Sequence, residues 1–231
     1  HWTLRRTASV AWTRRLLFIG IGLACFDQLT GINTAMYYLP KILAAAGFSS
    51  ADSITLNVIT GVVACIGAGF GLYLVSKFAR RHVGIYQETG VTISLFALAL
   101  IFGLGIGPYT LADGSISPEI PSYLPWLVLV LVSLFVFAKQ SGTVTWVLIA
   151  EIYPAKVRGT AMGLAVGTLW IGNAIVAAVF PVMMEKLGGA GTYLIFCLFN
   201  VMSLIFYMKF VPETKYHSLE ELEVRFEKEY S

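Results

Sequence analysis

Asp27, Gln28, Thr30 and Asn33, followed by Tyr37 and Tyr38, stand inside a long apolar stretch, in the segment DQLTGINTAMYY. A second polar group, KQSGTVTW from Lys139 to Trp146, interrupts another apolar stretch, and Trp170 and Asn173 set an indole and an amide at i, i+3 in a third. Amides present donors and acceptors to hydroxyl groups, and an indole face packs against the C–H surface of a saturated ring. Polar atoms in hydrocarbon are expensive, so ionisable and amide groups there usually line a cavity or an ion path. Such groups can bind a neutral, hydroxyl-rich molecule, or they can tie helices together. The convergence of several favours binding for Gln28 and Asn33, with Tyr37 and Tyr38 near the same cavity.

Nothing comparable points to covalent chemistry. His1, His82 and His217 are scattered, and none clusters with a carboxylate or serine, which argues against a membrane enzyme. Cys25, Cys65 and Cys197 lie in apolar segments without metal-ligand spacing and read as small apolar fillers. The GAGFG run falls within an apolar segment, not between a strand and a helix, so it is no dinucleotide fingerprint. The sequence therefore assigns no catalytic residue, no metal ligand and no cofactor.

The elements that hold these residues are membrane spans. The chain has 231 residues, of which 57% are hydrophobic and only 13% charged, with mean hydropathy +0.76. Soluble domains carry roughly 25% charged residues, and apolar runs of ~18 residues or more read as spanning helices. Six are expected, at about 16–45, 53–76, 84–107, 123–150, 158–185 and 191–211. Residues 1–15 precede them as a basic cytoplasmic segment, and 212–231 follow as a cytoplasmic tail. Arg5, Arg6, Arg14, Arg15, Lys77, Arg80, Arg81, Lys156 and Arg158 fall on one side, against Lys41 and Lys186 on the other. The positive-inside rule puts both termini in the cytoplasm, in a multi-pass protein of the cell membrane. Without a clustered basic face the chain offers no nucleic-acid surface. The abrupt opening, without Met, reads as the start of a fragment.

Helix geometry constrains the polar groups. At ~100° per residue Thr30, Asn33 and Tyr37 share a face, while Gln28 lies ~140° from Asn33. The two amides converge only if the helix is irregular, and Gly31 is its weak point; transporters break helices where backbone lines a site. Asp27 lies twelve residues from Arg15, and Lys139 twelve from Glu151, so both sit ~18 Å from the cytoplasmic end. Equal depth allows an ion pair, with proton uptake by Asp27 as the rival reading. Glycines at 159, 163 and 167, and at 67 and 71, recur every four residues and suggest close helix packing. In the tail, Ser218 and Glu221 have capping-box spacing ahead of an apolar stripe at Leu219, Leu222 and Phe226. A short helix there and a solvated tail are both compatible with that pattern.

These motifs resemble a known family. DQLTGINTAMYY is similar to the QQLTGIN…YY signature of the seventh helix of sugar porters in the major facilitator superfamily. GTVTWVLIAEIYPAKVRGTAMG resembles their tenth helix and following loop, and PETK with the later LEE resembles the motif after the twelfth. The resemblance spans nearly the whole chain. It implies an all-α integral membrane fold: the six-helix C-terminal bundle of a twelve-helix transporter, lacking its N-terminal six-helix half. It implies alternating-access transport of a sugar or cyclitol through the lipid bilayer, with proton symport in the full-length parent. The alternatives are a transporter-like sugar sensor and a uniporter of another polyol. By matched position, Gln28, Asn33, Trp146 and Trp170 contact the sugar, and Tyr38 closes over it. Arg80, Arg81, Glu151, Arg158 and Glu213 form a cytoplasmic charge latch. The chain departs from the pattern at Asp27, where the first Gln stands, at Thr143 for proline, at Ala64 for asparagine, and at SKFARR for DRxGRR.

If Asp27 and Lys139 pair, neutralising both together damages the protein less than neutralising either alone. Thermal stability of the two single variants and the double variant measures this, and additive damage excludes the pair.

Overall fold

The computed structural model describes residues 4–29, 39–46, 48–78, 80–111, 117–141, 144–212 and 219–231. Among them there is no β-strand. The helices are α1 (Leu4–Ser9), α2 (Ala11–Leu29), α3 (Leu39–Ala46), α4 (Ser50–Lys77), α5 (Arg80–Leu100), α6 (Tyr123–Gln140), α7 (Val144–Ile152), α8 (Arg158–Phe210) and α9 (Leu219–Tyr230). By length and composition, four described helical stretches could cross a membrane: Ile54–Lys77, Arg81–Tyr109, Tyr123–Gln140 and Arg158–Phe210. Their outward faces are apolar: Ile54, Val58, Ile93, Leu104 and Ile171 are all more than half exposed. Water would penalise such a surface and lipid would not.

The fourth stretch is two helices. Its 53 residues would span ~80 Å as a straight rod, far beyond a ~30 Å hydrocarbon core. Gly188, at φ 68° and ψ 179°, interrupts it in a conformation that side chains with a Cβ avoid. The chain doubles back there. Phe180 and Phe196 would be ~24 Å apart on one straight helix, yet their rings stack with centroids 6.2 Å apart. α5 comes close to this reversal as it loosens into a π-helical turn at Ile101–Ile106 and a 3-10 turn at Gly107–Tyr109. Residue 189 must also be small, because a Cβ there would meet the Phe102 ring at 2.4 Å.

The interior holds two apolar clusters, stacked along the bundle axis. One gathers Leu39–Ala46, the buried residues of α5 from Val91 to Phe102, those of α6 from Leu124 to Val136, and Phe180, Tyr193, Phe196 and Cys197 of α8. The other gathers the buried residues of α2 from Trp12 to Ala24, Leu148–Val157, Ala161–Leu169, Phe206–Val211, and Leu222 and Phe226 of α9. α9 therefore docks on the bundle. Leu222 and Phe226 are fully buried, while Leu219 stays exposed. Arg15 lies over the Tyr230 ring at 4.7 Å, so α9 clasps the start of α2. Burial there pushes the Tyr230 phenol above its ordinary pKa.

The two glycine stripes differ. A Cβ on Gly71 would stand 2.6 Å from the Ser141 carbonyl oxygen, and one on Gly67 would stand 2.9 Å from that of Phe137. α4 and α6 thus touch backbone to backbone, and the Ser141 hydroxyl donates to the Gly67 carbonyl at 3.2 Å. Gly159, Gly163 and Gly167 pack against no described atom within 4 Å. Close packing, the expectation for both stripes, describes the first and not the second. Gly71→Leu should accordingly lower stability by ~1–3 kcal/mol, the usual cost of overpacking. Gly163→Ala should change the stability of this bundle little, as thermal unfolding of the two variants in detergent will show.

Candidate functional site

A polar layer lies between the two apolar clusters. On α5 and α8, which contribute to both clusters, the switch from one to the other falls at polar residues, and on α2 and α6 a charged residue follows the last cluster residue. On α2, Asp27 follows Ala24; on α5, Glu88 lies between Val83 and Val91; on α8, Asn200 and Ser203 lie between Cys197 and Phe206. On α6, Lys139 follows Val136. Helix packing puts these four elements around one point.

Lys139 is the centre of the layer. Its Nζ lies 3.0 Å from Asp27 Oδ1 and 3.8 Å from Glu88 Oε1, with the Lys139 side chain only 4% exposed. The Glu88 side chain is 2% exposed and that of Asp27 14%. Asn200 Nδ2 donates to the Glu88 backbone carbonyl at 2.7 Å and to Thr92 Oγ1 at 2.6 Å, fixing α8 to α5 at this level. The Thr92 hydroxyl in turn donates to the same carbonyl at 2.8 Å. Ser203 faces the Glu88 carboxyl from α8. Burying the ammonium is sustainable because a carboxylate lies across a short gap on either side of it.

Glu88 did not figure among the residues singled out from sequence. Measured from the basic end of its own helix it sits only ~10 Å in from Arg81, a different depth from Asp27 and Lys139. The signal that could have found it was simply a carboxylate within an apolar span.

The other expected site residues are distributed as follows. Trp170 is 56% exposed on α8, and Asn173 beside it has a buried Oδ1 with no hydrogen-bond partner among the described residues. At ~100° per residue both fall on the face of Gly159, Gly163 and Gly167, where no described atom lies within 4 Å of a Cβ built on any of the three glycines. The Trp170 indole stands exposed on that face, and the Asn173 carbonyl oxygen is buried beside it. Gln28 sits in the last turn of α2, and Trp146 in the first turn of α7. Asn33, Tyr37 and Tyr38, and the expected break at Gly31, lie outside the described residues. So does Glu213 of the expected latch, while Arg80 opens α5. Arg81 donates to the Met208 carbonyl in the last turn of α8, where a cation also complements the helix dipole. Arg158 Nη2 donates to the Tyr153 carbonyl at 2.9 Å, and Glu151 lies half-buried near the end of α7. Burial raises the Tyr153 phenol pKa well above its ordinary value. A cavity of about 330 Å³ between α4, α5 and α6 is lined by Phe70, Phe137 and Tyr86 and is almost wholly apolar. It lies apart from Trp170 and Asn173. Among the described residues no group of His, Cys, Asp and Glu could hold a metal ion.

Among the described residues, an all-helical bundle with an apolar exterior and a buried ionic layer defines a class: an integral membrane protein built of packed helices. The chain belongs to the sugar porter family of the major facilitator superfamily, since the family model "Sugar (and other) transporter" matches residues 3–226. It is 36% identical to the major myo-inositol transporter IolT of Bacillus subtilis (strain 168), over 94% of this chain and 44% of that protein. It is 33% identical to the D-xylose-proton symporter of Escherichia coli (strain K12), over 93% and 42%. The inward-open structure of the E. coli xylose transporter XylE superposes with a TM-score of 0.73 at 32% identity, covering 91% of this chain and 42% of that one. The chain spans less than half the length of these relatives.

The three charges are unequal. Asp27→Asn leaves Lys139 facing Glu88, a balanced pair. Lys139→Met leaves two carboxylates without their cation. The expected outcome is a loss of ~3–5 kcal/mol for Lys139→Met, the usual cost of stranding a buried charge, and a smaller loss for Asp27→Asn. Equal losses, read by thermal unfolding, would remove Glu88 from the network.

Proposed function

We propose that this chain is the C-terminal half of a secondary transporter that carries a sugar or cyclitol across the cell membrane by proton symport, with both ends of this segment cytoplasmic. The observation that carries the reading is the open face of α8. There Trp170 is exposed, and the Asn173 carbonyl is buried with no hydrogen-bond partner among the described residues. A buried acceptor without a partner costs free energy that a substrate hydroxyl would recover. An exposed indole beside it supplies the surface on which the C–H face of a sugar ring packs.

Substrate binding then needs no covalent step. Gln28, Asn33 and Asn173 replace the water around substrate hydroxyls; Trp146 and Trp170 pack against the ring; Tyr37 and Tyr38 close over it. Rocking against a second six-helix half moves access from one side to the other. Arg80, Arg81, Glu151, Arg158 and Glu213 bias that equilibrium as weak pairs near the cytoplasmic surface, worth ~0–1 kcal/mol each. The names of the relatives support the substrate class, and the D-xylose-proton symporter among them supports proton coupling.

The test is uptake of labelled myo-inositol, xylose and glucose into cells expressing the full-length parent, with and without a protonophore. Saturable uptake of one of them, abolished by protonophore, is the expected result. Trp170→Ala should raise its KM about tenfold, equivalent to ~1.4 kcal/mol. Saturable uptake indifferent to protonophore would mark a uniporter, and binding without uptake a sensor.

A further inference from the structure

Two carboxylates share one ammonium in the middle of this bundle, and that count does not balance. With all three groups ionised the layer would hold a net negative charge, sealed between two apolar clusters. A buried charge in excess of its counter-ions is so costly that such a group neutralises instead. The geometry shows which carboxylate is in excess. Asp27 holds Lys139 at 3.0 Å and keeps some exposure, whereas Glu88 stands back at 3.8 Å and is almost completely buried. Glu88 Oε2 has no hydrogen-bond partner among the described residues.

We infer that Glu88 is a proton-binding site: it holds a proton while Lys139 is paired with Asp27, and gives it up when Lys139 turns to Glu88. The charged groups acting on it are Lys139 from α6 and Asp27 from α2. From α8 it meets only the neutral Ser203 and, at its backbone, Asn200. A metal cation is a poor occupant, since the ammonium already stands in the cation position. A proton neutralises the excess acid without displacing it. Lys139 is within reach of both acids, so a small change in the angle between α2 and α5 decides which one it serves. That is the requirement for coupling: one proton bound in one arrangement of the helices and released to water in the other.

The inference rests on the transport reading for its purpose, but its chemistry can be measured without any substrate. Infrared spectra of the purified full-length parent at neutral pH should contain a carboxylic-acid C=O band from a buried, protonated side chain. Glu88→Gln should remove it. Asp27→Asn should remove it too, because Glu88 must then ionise to serve Lys139. Glu88→Asp, which keeps the charge count, should retain the band at a shifted frequency. A wild-type protein without the band would overturn the inference, as would a band that Glu88→Gln leaves in place or that Glu88→Asp leaves unshifted. In liposomes, Glu88→Gln should retain counterflow exchange of labelled substrate, which needs no gradient, and lose accumulation driven by a proton gradient. Accumulation by Glu88→Gln equal to wild type would overturn the coupling role. Loss of counterflow in wild type would defeat the transport reading alone and leave the infrared result standing.

Discussion

A single ammonium group decides how this bundle is assembled. Lys139 reaches carboxylates on two other helices, and each contact requires those helices to stand at a fixed height and rotation about α6. An apolar contact tolerates a slide of an ångström or two; a charge pair closed off from water does not. The layer around Lys139 therefore sets the register of α2, α5 and α6, and the Asn200 contacts carry that register to α8. The apolar clusters on either side fill space around a framework that the charges have already aligned. Buried ion pairs are weak sources of net stability, and their best-attested use is this kind of specification.

The sequence made much of this legible, for physical reasons that also mark its limits. The length scale of the bilayer makes apolar helices legible in the sequence, and four described stretches are long and apolar enough to cross a membrane. The approach of Asp27 to Lys139 follows from counting helical rise from two basic ends. Glu88 escaped the same count because α5 enters the bundle at its own height, and a count along one helix cannot see an offset between helices. The glycines show the same boundary. Spacing of four announces a smooth face, but whether a neighbour lies on that face depends on tertiary structure: α6 covers Gly67 and Gly71, and nothing described covers Gly163. In the tail the stripe of Leu219, Leu222 and Phe226 is compatible with a helix or a solvated tail; the helix forms, and Leu222 and Phe226 are buried while Leu219 is exposed. Of the residues proposed to bind, Trp170 and Asn173 fall on one face of α8, while the segment holding Asn33, Tyr37 and Tyr38 lies outside the described residues.

The fold also separates two tasks that a transporter must combine. The open face of α8 suits a neutral ligand, because its polar groups are amides and an indole. The closed layer suits a proton, because its polar groups are charged and shielded. The charged set needs its shield, because an exposed carboxylate would be hydrated and hold its proton weakly.

The tight reversal at Gly188 joins these two places. Its two arms have no loop between them to take up slack, so they behave like the prongs of a tuning fork. Asn173 lies fifteen residues before the bend and Asn200 twelve after it, distances of ~22 and ~18 Å along the two prongs. One prong carries the face open to ligand and the other is pinned to the ionic layer. A displacement of the first cannot be absorbed at the bend; it arrives at the second as a tilt. In the proposed transporter a ligand that touches no charge and the charges themselves would be joined through this one bend.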